Sequence, residues 1–545
     1  MNRTFRIAIA LLVSLTILLS GCGIANQAPP TPVATREAYR LPAENRPQPT
    51  ASPSEYVVEK TIEVEKVGEG SAPGASTGGT DEPNDQPYGD VFFENYGVNP
   101  RIDAEDDNLS TFAVDVDTAS YTVMRRVVGD GYLPDKDSVR VEEYVNFFEQ
   151  GYESPTKSAF GITIDGAPSP YVENYYLVRV GLKGYEVPAE DRPNVVLTFV
   201  IDVSGSMDME NRLELVKDAL ELLVEQLRPT DEIGIVVYGS RARVVLEHTP
   251  VKNASTILRA IQRLDAEGST NAEEGLQEGY RLARRNFNSE AVNRVILCSD
   301  GVANVGRTGP ESILKEIREY AEKNIYLTTI GVGMGNFNDV LMEQLADDGD
   351  GFYAYVDDIK EAERIFVHRL PSSLQVIARD AKVQVAFNPD VVSRYRLIGY
   401  ENRDVADDDF RNDEVDAGEL GPGHSVTALY EVKFKAEADP QAAALTVSMR
   451  WENPDTGEVT EINRSAARAD LNDDFATSDP RFQMTAVVAQ YAEILRQSYW
   501  AKDAGTKLED VARDAQRIAE YLPRDQDVQE FAQLATQAID LSATQ

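Results

Sequence analysis

Asp202, Ser204 and Ser206 occupy alternate positions in Val200-Ile201-Asp202-Val203-Ser204-Gly205-Ser206-Met207, at the end of the apolar run Val195-Val196-Leu197-Thr198-Phe199-Val200. A continuous apolar run of this kind reads as a strand buried on both faces. A helical stripe follows it, carried by Leu213, Val216, Leu220, Leu223 and Leu227. One carboxylate and two hydroxyls therefore stand at the carboxyl end of a buried strand, where open α/β sheets bind ligands. All three offer oxygen, the donor that hard cations such as Mg²⁺ and Ca²⁺ prefer. The same residues also suit a turn in which Asp202 or Ser204 caps the next helix. Two later stretches bear on the choice. Asp265-Ala266-Glu267-Gly268-Ser269-Thr270-Asn271 is a loop ahead of a helical pattern, and Arg294-Val295-Ile296-Leu297-Cys298-Ser299-Asp300-Gly301 is a second buried strand ending on an acid.

Together the three stretches resemble the metal-ion-dependent adhesion site of the von Willebrand factor type A (VWA) domain. That pattern is Asp-x-Ser-x-Ser, then a Thr in a separate loop, then an Asp after a later strand. Asp202, Ser204, Ser206, Thr270 and Asp300 meet it in order, each in the matching strand or loop context. The resemblance implies that these five residues hold a divalent cation, Mg²⁺ first, with Ca²⁺ or Mn²⁺ as alternatives. It implies that Asp300 acts through water or an intervening hydroxyl. It also implies a vacant position on the ion, which an Asp or Glu of a protein partner completes. A site that only stabilises the domain would use the same ligands.

Metal-assisted hydrolysis is the competing use. It needs a general base, and nothing in the motif marks one. Asp208 and Glu210 are close in sequence, but they read as helix-start carboxylates. The chain has no GxSxG in the strand–turn–helix setting of a nucleophile elbow, and no GK[ST] phosphate loop. Gly331-Val332-Gly333-Met334-Gly335-Asn336 falls short of a dinucleotide loop, because Asn336 stands where the third Gly belongs. The expectation is a binding module, not an enzyme.

The elements that position these residues alternate regularly. Between residues 193 and 372, strand patterns such as Val195–Ile201, Glu232–Tyr238, Arg294–Cys298 and Ile325–Ile330 alternate with helical patterns such as Arg212–Leu227, Ala272–Arg285 and Pro310–Lys323. Alternation of this kind implies a doubly wound, mostly parallel α/β sheet with helices on both faces, the Rossmann-like architecture of the VWA fold. Residues 373–470 read as an antiparallel β module with one solvated face, and residues 471–545 as C-terminal helices beginning at Ser478-Asp479-Pro480. Residues 87–192 resemble the segment that precedes the VWA domain in a family of bacterial envelope proteins. Strands near Tyr175–Leu182 are expected to join a sheet with strands beyond the VWA domain. Asp115 and Asp117 alternate with apolar residues and read as solvated strand positions. The acid-rich loop Asp404–Asp416 reads as solvent-facing. Asp470–Phe475 hints at a calcium loop, but Phe475 stands where an EF-hand needs Gly.

At 545 residues and 42% hydrophobic content, the chain can bury more than one core. Its formal net charge of −39 repels phosphate backbones, so nucleic acid is not an expected partner. Two cysteines, Cys22 and Cys298, allow no disulfide framework, and Cys298 reads as a small buried thiol. His248, His368 and His424 form no zinc spacing and read as surface or loop residues.

The first 22 residues read as a signal segment. Arg3 and Arg6 lead into the apolar core Ile7 to Leu19, which is short for a membrane span. Leu19-Ser20-Gly21-Cys22 resembles the bacterial lipobox. That resemblance implies cleavage before Cys22, a diacylglycerol thioether on it, and a membrane-anchored protein of the bacterial cell envelope facing outside the cytoplasm. Residues 23–86 are rich in Pro, Ala, Thr, Ser and Gly and read as a disordered tether. Taken together, the anchor, the VWA motif and the flanking segments resemble VWA-containing bacterial envelope lipoproteins with a C-terminal domain of unknown function.

Overall fold

The structure, a computed structural model, describes residues 93–543 apart from 115, 189–191, 302–309, 334–337, 370–374, 414 and 455. The expected signal segment, Cys22, the expected tether and Asp115 lie outside the described residues. The N-terminal part carries β1 (Ile102–Asp103), β2 (Leu109–Ala113), α1 (Ala119–Gly129), α2 (Val141–Asn146), β3 (Phe160–Pro168) and β4 (Tyr176–Gly184). The central part runs β5 (Asn194–Asp202), α3 (Arg212–Gln226), β6 (Glu232–Tyr238), β7 (Ala242–Pro250), α4 (Ala254–Gln262) and α5 (Ala272–Arg285). It continues through β8 (Ala291–Ser299), α6 (Pro310–Ala321), β9 (Ile325–Val332), α7 (Asp339–Asp347), β10 (Tyr353–Val356) and α8 (Ile359–Glu363).

The central strands form one sheet in the order β10-β9-β8-β5-β6-β7. All neighbours are parallel except β6 and β7. β5 lies mid-sheet, and its alternate side chains enter different cores. Val195, Leu197, Phe199 and Ile201 pack with Leu213, Val216 and Leu220 of α3, while Val200 packs with Leu276 and Tyr280 of α5. Burial on both faces explains why the run is apolar without alternation. Cys298 is fully buried in β8, and burial pushes its thiol up to about 12.

Beyond α8 come β11 (Ala378–Phe387), β12 (Val392–Ile398), β13 (Gly418–Leu420), β14 (Ser425–Phe434), β15 (Ala443–Glu452) and β16 (Val459–Ala467). The chain ends in α9 (Pro480–Leu495), α10 (Tyr499–Ala504), α11 (Leu508–Tyr521) and α12 (Gln526–Ser542). Asp479 caps α9 by accepting from the N–H groups of Arg481 and Phe482, with Pro480 in the first turn. As expected from the sequence, β3 and β4 join a sheet with later strands, in the order β1-β12-β14-β4-β3. A second sheet runs β13-β11-β15-β16, with β2 also paired to β11. Among the described residues no helix is long and apolar enough to cross a membrane.

Only part of the β module has the solvated face expected of it. β15 alternates buried and half-buried residues, but β4 and β14 are buried along most of their length. Val178, Val180 and Leu182 face the second sheet, whereas Leu177 and Leu429 enter a core made with the C-terminal helices. That helical core also takes Tyr121 and Met124 of α1, Tyr144 of α2, and Tyr491 and Phe531 of α9 and α12. The N-terminal segment, the β module and the last helices thus share two cores. Local periodicity cannot reveal such sharing, because the partners are hundreds of residues apart.

Three expectations are corrected. Asp117 is buried, not solvated: its carboxylate accepts from the Tyr353 N–H (3.1 Å) and pairs with Arg403. His248 is half-buried on the edge strand β7 and not freely exposed. Its Nε2 lies 3.0 Å from Thr198 Oγ1, and burial, with Arg285 adding to it, pulls its imidazole down to about 4. The loop around Asp404–Asp416 does not simply face water, since Phe410 is buried and Asp407 accepts from Thr111 Oγ1.

Candidate metal centre

The site forms where β5 and β8 end side by side. Ile201 is in register with Cys298, so Asp202 emerges next to Ser299 and one residue before Asp300 on the neighbouring strand. Asp202 is fully buried. Its Oδ1 accepts from the Ser204 N–H (2.8 Å) and its Oδ2 from the Ser299 hydroxyl (3.0 Å). Burial is the main influence on this carboxyl and pushes it up to about 6, partly offset by the bonds from Ser204; the charge of Asp300 adds to the rise. Among the described residues no Lys or Arg pairs with Asp202. The hydroxyls of Ser204 and Ser206 are 3.0 Å apart. Ser204 is buried and Ser206 half-buried.

Backbone bonds bring the second loop to this corner. Gly205 N–H donates to Gly268 O (3.1 Å), and Glu267 N–H donates to Val203 O (2.5 Å). Gly268 has φ +80, and a Cβ on it would lie 2.4 Å from Ser240 Oγ, so only glycine lets the loop lie this close. Asn271 caps α5 through the Glu274 N–H, which fixes the loop's far end. Thr270 sits half-buried between these anchors, two residues beyond Gly268, and its hydroxyl makes no hydrogen bond to the other four site residues.

Asp300 is held by a residue absent from the sequence pattern. Arg212, the first residue of α3, donates from Nη1 to Asp300 Oδ2 at 2.8 Å. Both side chains are buried. Glu210 (φ +53) and Asn211 (φ +59) precede it in the left-handed region. That conformation costs about 1–2 kcal/mol for a residue such as Glu. Ser299 and Tyr238 also escaped the sequence reading. Burial, with the charge of Asp202 adding to it, pushes the Tyr238 hydroxyl well above its ordinary value. Spacing gave no signal for Arg212, because a cation at a helix start resembles any surface residue. Asp208 and Glu210, the base candidates, are exposed, and Glu210 lies 3.3 Å from Arg126 and 3.6 Å from Arg212.

The donor set fits a hard divalent cation: two carboxylates and three hydroxyls, all oxygen. Among the described residues, no group of three or more His, Cys, Asp or Glu side chains gathers to hold a metal. The donors are too few in charge and too hard to suit a zinc-type site.

Comparison with known proteins places these elements in a family. Residues 197–368 match the von Willebrand factor type A domain, residues 88–179 match the family described as von Willebrand factor, and residues 372–541 match that described as "Uncharacterized protein YfbK, C-terminal". The uncharacterized protein YfbK of Escherichia coli (strain K12) is 34% identical over 435 residues, covering 75% of this chain and 75% of its own. The chain belongs to the YfbK family. Another relative of this YfbK-family chain, the uncharacterized protein sll0103 of Synechocystis, is 26% identical over 272 residues, spanning 49% of this chain and 64% of its own. Among solved structures, a von Willebrand factor type A protein from Catenulispora acidiphila aligns with a TM-score of 0.40 and 18% identity, covering 70% of this chain and 90% of its own.

Proposed function

We propose that this YfbK-family chain is a lipid-anchored protein of the bacterial cell envelope. In this reading its VWA domain binds a divalent cation, Mg²⁺ in the first instance, and captures a protein partner through an Asp or Glu that completes the ion's shell. The carrying observation is the pair of carboxylates at the strand ends. Asp202 is buried with no cationic partner among the described residues, while Asp300 is already paired with Arg212. Asp202, Ser204, Ser206 and Thr270 would hold the ion, with Asp300 supporting it from behind. A bound cation would supply a Lewis-acidic bridge to an external carboxylate. The chain's own part is to keep the donors oriented: Ser204 N–H and Ser299 hold Asp202, and the Gly205–Gly268 bond holds the Thr270 loop. The reading is of a binding module. The carboxylates of Asp208 and Glu210 are exposed, and Glu210 pairs with Arg126 and Arg212 instead of standing free as a base.

The envelope location rests on Leu19-Ser20-Gly21-Cys22. Affinity capture from native membranes tests the metal bridge, and lipid labelling tests the anchor. A partner retained with Mg²⁺, released by EDTA and absent with Asp202→Ala supports it. A capture pattern indifferent to EDTA sinks the metal bridge. A lipid label persisting in Cys22→Ser sinks the anchor.

A further inference from the structure

The Arg212–Asp300 pair is built into the site, not laid across it. Arg212 is 5% exposed. Its guanidinium reaches Asp300 Oδ2 at 2.8 Å and lies 3.5 Å from the Ser206 carbonyl oxygen, so it spans the first and third strand-end segments of the site. Its stem lies against Gly333, just beyond β9. A Cβ on Gly333 would fall 2.1 Å from Arg212 Nε and 2.6 Å from Cζ, and the residue also needs its φ of +74. Any other side chain there would push the guanidinium off Asp300. The left-handed turn at Glu210 and Asn211 feeds Arg212 into this slot from the other side. Three separate segments thus converge to keep one cation on one carboxylate.

That arrangement has an electrostatic consequence. A divalent ion held by Asp202 and neutral hydroxyls would see the charge of Asp300 largely cancelled by Arg212, and Arg212 itself would repel the ion. Charges a few ångströms apart away from water are only weakly screened. We propose that Arg212 is a resident counter-cation that withholds Asp300 from the metal, so that the site binds a divalent ion weakly alone and firmly only when an external carboxylate joins it. This rests on the metal-site reading above and adds to it a mechanism for partner dependence. Arg212 acts through Asp300 and is a positioning residue. An ion that binds firmly only together with its partner makes the bridge reversible when the partner leaves.

The test measures Mn²⁺ affinity of the purified full chain by electron paramagnetic resonance, with and without tens of millimolar acetate as the carboxylate probe. In the native protein, acetate should tighten Mn²⁺ binding. Arg212→Gln should bind Mn²⁺ alone about tenfold more tightly, since a repelling charge is gone and Asp300 is released. Its acetate enhancement should shrink. Arg212→Lys keeps the charge and should restore the native pattern. Gly333→Ala, which displaces the guanidinium without removing it, should move the affinity in the same direction as Arg212→Gln and serves if that variant does not fold. Mn²⁺ binding in Arg212→Gln that is unchanged or weaker, with native circular dichroism, overturns the proposal and leaves the metal site standing. A native protein whose Mn²⁺ affinity is not reduced by Asp202→Ala overturns the metal-site reading, and this proposal with it.

Discussion

Arg396 of β12 and Glu493 of α9, both buried, lie 3.5 Å apart across the seam between the β sheet and the C-terminal helices. Arg396 also binds Glu431, and Glu493 is bonded by Arg496, which in turn meets Glu401 at 3.0 Å. Burial acts to raise the Glu493 carboxyl, but Arg496 and Arg396 outweigh it and hold it down at about 2. A carboxyl depressed in the folded chain contributes stability that is present above its unfolded value of 4.5 and is lost as pH falls toward 2. Glu493→Gln should therefore destabilise the chain at pH 7 by about 3 kcal/mol, because Arg396 and Arg496 each lose one carboxylate and keep only Glu431 and Glu401. Urea denaturation at pH 7 and at pH 3 checks this. The difference between variant and native protein should narrow at the lower pH.

Asp380 sits where the register of β11 against β15 shifts, with φ +51. Burial, then the charge of Asp416, pushes its carboxyl up to about 6. For a raised carboxyl the sign is reversed: its contribution is present below the unfolded value of 3.8 and is lost as pH rises through 6. Asp380→Asn removes the charge and keeps a side chain at ease in the left-handed region. It should raise the melting temperature at pH 7.5, with the advantage fading toward pH 4. Equal melting curves at pH 7.5 would count against it.

What the sequence made legible follows from the range of the forces involved. β5 and its terminal Asp202 were readable because a strand covered on both faces must be apolar throughout. The α3 stripe of Leu213, Val216, Leu220 and Leu223 was readable from its helical spacing, and all four are buried. Arg212 was not, since its role depends on Gly333, more than a hundred positions later. Asp117 looked like a solvated strand residue because alternation carries no record of Tyr353, whose N–H it accepts. His248 failed in the same way: Thr198, fifty residues earlier, takes up its Nε2. Each motif residue sits in a strand end or loop with its own local pattern, so the sequence finds them; residues that hold them arrive from elsewhere in the fold.

Close packing of α5 on the sheet gives a third prediction. A Cβ on Gly279 would lie 2.3 Å from Val200 Cγ2, two residues before Asp202. Gly279→Ala must push α5 away from β5, in a core that has no room to absorb a methyl group. It should destabilise the domain by about 1–3 kcal/mol. Because α5 also carries the loop with Thr270 on its N-terminal side, cation affinity should fall together with stability. Chemical denaturation and Mg²⁺ calorimetry on the same sample decide whether the two losses travel together.

Asp202 itself offers the sharpest thermodynamic test. Its carboxyl is raised from 3.8 to about 6 because burial disfavours the charge. Without a cation, ionising it at pH 7.5 costs the folded chain on the order of 3 kcal/mol. Asp202→Asn removes that charge but can keep the local bonds: the amide oxygen can accept from the Ser204 N–H, and the amide nitrogen can donate to the Ser299 hydroxyl. In EDTA at pH 7.5 the variant should melt at a higher temperature than the native protein. Adding Mg²⁺ should raise the native melting temperature, as any ligand specific to the folded state does, and leave the variant unchanged. The two proteins should therefore approach or cross as Mg²⁺ increases. Thr270→Ala removes one neutral oxygen and no buried charge, so it should leave the EDTA curve in place and reduce only the Mg²⁺ response. Differential scanning calorimetry across a Mg²⁺ series checks all three. A Mg²⁺ response in Asp202→Asn equal to the native one would remove Asp202 from the ligand set.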